Sequence, residues 1–311
     1  MSIPITSRMI VPATITDAML VSCTVAEPAA GEAAWNAATA YTVGQEAIRA
    51  TTHRKYKRVV AGTTATEPEN DNGDGKNWLD IGATNRWAQF DRKVGSKTTG
   101  TTSVTTVIKP GSAEGLALLD VVGTSVDVTV RETTGGAVAY TRSVDLDASI
   151  VTSVYDWMYG EYTQRLNVVL TDLPGQYPSA EITVTVNSTS GGAIGVLAAG
   201  RVHALGATEY GAGAGIINWG KVSDDGFGNR EWLEGEWANR VTLPIVANRS
   251  DMNRLHRQLA AVRSTPCIYI GSALDDYEPL VCYGVYRDLY ITVPYYSAVQ
   301  MNLEIDGLNN I

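Results

Sequence analysis

Four aromatic residues have the type and spacing to do chemistry. Trp35, Tyr41, Tyr56 and Trp78 all fall in residues 31–82. An exposed planar ring stacks on the C–H face of a sugar while polar neighbours take the hydroxyls. A unit of about 50 residues has a marginal core of its own. Some of these rings are therefore expected at its surface, as platforms for a polysaccharide. The opposing reading is that all four form a miniature core.

Other constellations carry weaker chemistry. Glu231, Glu234 and Glu236 lie near Trp232 and Trp237. A glycosidase needs two carboxylates facing one cleft. In a strand, Glu234 and Glu236 share a face and Glu231 takes the other, with no catalytic signature around them. Asn70 to Gly75 resembles half of a calcium loop, but the twelfth position from Asn70 is Ile81 and not the required Glu, so it reads as a turn-rich loop. His53, His203 and His256 are far apart, with no metal-ligand neighbour at useful spacing. A nucleophile elbow, a P-loop and a dinucleotide fingerprint are all missing. The expectation is no enzyme, no catalytic residue, no metal and no cofactor. In the basic run His53 to Arg58, alternation puts Arg54, Tyr56 and Arg58 on one face and Lys55 and Lys57 on the other. That reads as a solvated strand edge guarded by lysine.

The elements that must hold these residues follow from composition and pattern. The chain has 311 residues and a net charge of −9, with 44% hydrophobic and 18% charged residues. This is the profile of a folded chain and not a disordered one. An acidic chain repels phosphate backbones, so no nucleic-acid partner is expected. Three cysteines, Cys23, Cys267 and Cys282, make no disulfide framework and no C-x-x-C pair. Cys267 and Cys282, among strand-like apolar residues, are expected as buried free thiols in a protein made in a reducing cytoplasm. Pro4, Pro12 and Asp17 interrupt the N-terminus, which does not read as a secretory signal. No apolar run reaches the length of a membrane span, so no membrane insertion is expected.

The fold is expected to be mainly β, in four parts. Residues 1–30 read as an extended arm that ends in the linker Glu27 to Gly31. Residues 31–82 form the aromatic-rich β module, projecting on its linkers. Residues 83–205 read as a β-sandwich, jelly-roll-like, with strands such as Leu116–Val122, Ser125–Val130, Ile182–Val186, Ile194–Ala199 and Val202–Leu205. Residues 206–311 read as a β-barrel-like domain with one helix, Asp251–Arg263. In that helix Met252, Leu255, Leu259 and Val262 share a face. This last domain is rich in Trp and Tyr, residues enriched in interface cores. Trp219, Trp232, Trp237, Tyr286 and Tyr290 are the candidate assembly residues. Alternation along the last of these strands gives Tyr286, Asp288 and Tyr290 one face, with Arg287, Leu289 and Ile291 opposite.

Two resemblances add to this reading. Ala34-Trp35-Asn36, Ala40-Tyr41-Thr42-Val43-Gly44, Tyr56-Lys57, Pro68 and Trp78 resemble the small carbohydrate-binding modules of chitinases, over residues 31–82. The chain departs from them at Gly44-Gln45-Glu46, where a Gly-Asp is usual, and in its basic strand. Asn85 to Asp91, the stretch Ile182–Leu205, Thr265-Pro266-Cys267, Tyr283 to Tyr286 and the ending Met301 to Leu308 resemble tail-tip or baseplate proteins of tailed bacteriophages. Such proteins place β-barrel domains around the tail tube, often with one helix against the barrel. This implies a virion structural protein of the tail tip, made in the bacterial host cytoplasm. Its partners would be other tail proteins and copies of itself, with host surface polysaccharide as a further contact through the module. The other readings are a free adhesin whose main role is polysaccharide recognition, and a wall-degrading enzyme with an attached binding module.

Overall fold

The computed structural model describes residues 6–93, 95–149, 153–160, 163–224, 228, 230–272 and 275–308. Strands dominate it. Among the described residues no helix is long and apolar enough to cross a membrane.

The extended N-terminal segment, from residue 6 on, contributes two strands to the sheets. β1 (Ser7–Pro12) lies between two strands from far later in the chain, and β2 (Leu20–Cys23) forms a sheet edge. Met9 and Ile10 are fully buried on opposite faces of β1. The module follows as a three-stranded antiparallel sheet of β3 (Glu46–Arg49), β4 (Arg54–Arg58) and β5 (Trp78–Ala83), with β4 in the middle.

The sandwich contains β6 (Thr98–Thr99), β7 (Val104–Ile108), β8 (Gly115–Val122), β9 (Ser125–Arg131), β10 (Val138–Asp145), the short helix α1 (Val154–Tyr159), β11 (Val168–Leu170) and β12 (Glu181–Asn187). One sheet runs β10-β9-β12-β7-β2. Its period-2 sequences bury Val126, Val128 and Val130 opposite Val186, Val184 and Ile182. These pack on Leu116 and Leu118 of β8 in the facing sheet. The other face of β8, Ala117 and Leu119, packs on Ile268 and Tyr283 of the next domain. Burial on both faces explains why this strand reads as a continuous apolar run.

β13 (Ala193–Thr208) joins the two domains. Its first half pairs with β8 and its second half with β1, so what reads in sequence as two strands is one strand shared by both domains. The domain boundary expected near residue 205 falls inside it. The remaining elements are β14 (Gly213–Asn218), β15 (Lys221–Asp224), β16 (Arg230–Leu233), β17 (Trp237–Asn248), α2 (Met252–Ala261), β18 (Cys267–Ile270), β19 (Val281–Thr292) and β20 (Ala298–Gly307). The pairings β13-β1-β18-β19-β20-β17 close on themselves through β13–β17, giving a six-stranded barrel. Helix α2 lies against this barrel and buries Leu255 and Leu259 in the barrel core, the face its spacing predicts. β15 and β16 form a two-stranded ribbon of their own.

Candidate functional site

The four module rings do not form the expected platform. Tyr41, Tyr56 and Trp78 are buried and make the module's core with Ala47. Tyr41 meets Trp78 edge-on at 5.0 Å. Its hydroxyl accepts the backbone N–H of Asn36, and desolvation raises the Tyr56 pKa. A three-stranded sheet has little aliphatic material to enclose, so the large rings are spent inside it. Trp35 is half-buried, and the Arg49 guanidinium lies 4.9 Å from its ring centroid. Glu67 and Glu69 hold that guanidinium at 2.7 and 2.9 Å. One face of the remaining ring is therefore already covered.

The basic run divides, with Tyr56 and Arg58 buried, Arg54 and Lys55 half-buried and Lys57 exposed. β4 is the central strand and not an edge, and Arg58 is 2% exposed, with its guanidinium over Trp78 at 4.9 Å. A cation desolvated against an indole face is held by the ring's quadrupole. Arg54 pairs with Asp80 at 2.7 Å. In the polar loop, Asp71 accepts the Asn77 side-chain amide at 2.7 Å and so organises a turn, as its sequence suggests.

Side-chain contacts join the module to the sandwich. Glu27 reaches from the preceding segment to His53, and the His53 ring stacks on Trp87 of the sandwich at 4.1 Å. Among the described residues no three His, Cys, Asp or Glu side chains gather as a metal site. His203 meets Gln258 at 3.1 Å, and burial lowers its pKa.

The assembly candidates divide. Trp219, Trp232 and Tyr290 are 47%, 57% and 69% exposed. Tyr286 turns inward: it packs on the barrel core and donates its hydroxyl to the Leu259 carbonyl of α2 at 3.0 Å. The cause is a bulge between Tyr286 and Asp288, which resets the alternation so that Tyr286, Leu289 and Ile291 all face the core. Trp237 is half-buried and lines a cleft.

That cleft has a volume of about 820 Å³ and lies where the sandwich, β14 and β17 meet. Its polar wall includes Lys97, Asp120, Gln164, Asn167 and Asn239, and Trp237 supplies a ring. Asp120 sits in β8 with φ of 55°, in the left-handed region. It reverses the strand's alternation: Leu119 faces the barrel, yet Val121, two residues on, faces the sandwich core. Gly195 leaves room beside it, since a Cβ there would come within 2.8 Å of the Asp120 Cβ. The turned-out carboxylate meets Lys97 Nζ at 2.7 Å, and the Asp120 amide donates to Asn167 Oδ1 at 3.3 Å. Sequence reasoning missed this group. Its one signal is an Asp inside the apolar run Leu116–Val122. Glu236 lines the same cleft, while Glu231 lies on the ribbon. Compared with known proteins, the chain matches no family model, no curated protein and no solved structure.

Proposed function

We propose that the protein is a structural component of a bacteriophage tail tip or baseplate, assembling with copies of itself and other tail proteins through its barrel domain. The observation that carries this reading is the β15–β16 ribbon, in which every described residue is exposed. An isolated two-stranded hairpin is marginal in water. Here it also displays Val222, Trp232 and Leu233, with Trp219 at its base. A surface partner that covers these residues supplies the burial the ribbon lacks. Tyr290, Tyr295 and Tyr296 form a second exposed aromatic surface on the β19–β20 hairpin, whose tip lies at the other end of β17 from the ribbon. Rigid amphipathic rings of this kind make interface hot spots. The sequence resemblance to tail proteins that ring the tail tube, with a helix against a barrel, agrees with this assignment.

The test is the size of full-length protein by light scattering and negative-stain imaging, alone and with the neighbouring tail proteins. A ring or a stable complex is expected, and a Trp219→Ser, Trp232→Ser double variant should weaken it at least tenfold. A wild-type monomer inert toward all those partners overturns the assignment.

A further inference from the structure

We propose that the cleft around Asp120 and Trp237 is a binding site for an uncharged oligosaccharide, distinct from the aromatic module. The first support is strain. A non-glycine residue held in the left-handed region inside a strand persists only where its surroundings over-determine it, and such residues gather at functional sites. Here Gly195, Asn167 and Lys97 all serve the Asp120 conformation. Its effect is to turn a carboxylate out of a sheet and into the cleft.

The second support is the chemistry of the wall. A sugar hydroxyl both donates and accepts, so its site must offer both kinds of atom. Gln164 Nε2 is committed to the Val121 and Gly123 carbonyls, which fixes the amide and leaves Oε1 as an acceptor. Asn167 Oδ1 is committed to the Asp120 amide, which leaves Nδ2 as a donor. Lys97 Nζ has two N–H groups beyond the one aimed at Asp120. Trp237 and Ile216 provide the apolar surface on which a pyranose face stacks. The volume of about 820 Å³ lies in the range of small-molecule sites. Lys97 is outnumbered by the carboxylates of Asp120, Glu236 and Glu278, so phosphate-bearing or uronic-acid polymers are disfavoured.

A lone protomer carries every wall residue named above, so the experiment needs no partner. The experiment uses the full chain and saturation-transfer NMR, with chitohexaose, cellohexaose and maltohexaose as uncharged probes and glycerol-phosphate teichoic acid as the anionic one. At least one uncharged probe should bind wild type. Trp237→Ala should weaken it about tenfold, and Ile216→Trp, at a position 70% exposed, should block it. Trp35→Ala should change nothing. The proposal is overturned if no uncharged probe binds at about 10 mM, if Ile216→Trp binds as wild type does, if Trp35→Ala abolishes binding, or if only the anionic polymer binds.

Discussion

The Glu27 carboxylate lies 3.0 Å from His53 Nδ1, so the segment before the small module grips a turn of that module. The same carboxylate, 6% exposed, accepts the Thr84 hydroxyl at 2.6 Å and the Trp87 indole N–H at 3.1 Å. Asp17 takes the other His53 nitrogen at 2.7 Å. Module and sandwich are thus joined through one nearly buried carboxylate. Glu27→Ala leaves the Thr84 and Trp87 donors without their acceptor. Hydrogen bonds to a charged group are worth about 1.5–3 kcal/mol. The variant is expected to lose about 2 kcal/mol in urea unfolding and to gain hydrogen exchange at the 50–54 turn. Unchanged exchange at that turn would show that the joint is held elsewhere.

The thiols give a pH dependence with a definite sign. Burial pushes Cys267 and Cys282 from 9.0 up to about 12. In the unfolded chain they lose their protons near 9, while in the folded chain they keep them. The folded state then binds more protons above pH 9, so stability falls as pH rises through the 9–12 window and is insensitive to these groups below it. Native protein at pH 8 is expected to react with a thiol reagent at Cys23 alone, and denatured protein at all three. A fast reaction of two or more thiols in the native state contradicts this.

Tyr286 ties the helix to the barrel through its hydroxyl and the Leu259 carbonyl. Tyr286→Phe keeps the ring in the core and removes that one bond, at a cost of about 1 kcal/mol. Faster amide exchange confined to α2, with the barrel unchanged, is the expected signature. Leu259→Ala, which opens a cavity at a fully buried site, should cost about 2–5 kcal/mol and destabilise the barrel as well.

These residues mark how far the sequence is legible. Strict alternation in β9 and β12 and the helical spacing of Met252, Leu255, Leu259 and Val262 are local signals, and each predicts its buried face. Irregular positions break the same rule. The bulge after Tyr286 and the left-handed Asp120 each reset the alternation, and both depend on partners distant in sequence. β1 is illegible for that reason too: its neighbours are β13 and β18. The module rings were ambiguous on other grounds. Tyr and Trp at that spacing suit a stacking platform and a miniature core equally. The absence of enough aliphatic residues to enclose Arg58 and Trp78 otherwise decides for the core.

β1 is the strand on which both the barrel and its contact with the sandwich depend, and Gly200 is where that dependence is tightest. Gly200 pairs with Pro12, and a Cβ at Gly200 would overlap the Val11 carbonyl. The clash is with backbone, so no rotamer change relieves it, and β1 must move away from β13. That movement withdraws Met9 from the barrel core and Ile10 from the contact between domains, where both are fully buried. It also parts β13 from β18, which meet only through β1 on that side of the barrel. Gly200→Ala is therefore expected to cost about 3 kcal/mol, at the upper end for overpacking one methyl, and to speed amide exchange in β1 and β18 together. Gly213→Ala, where a Cβ meets nothing within 4 Å, is the matched control and should leave the melting temperature unchanged. If Gly200→Ala melts as the control does, the barrel does not depend on β1.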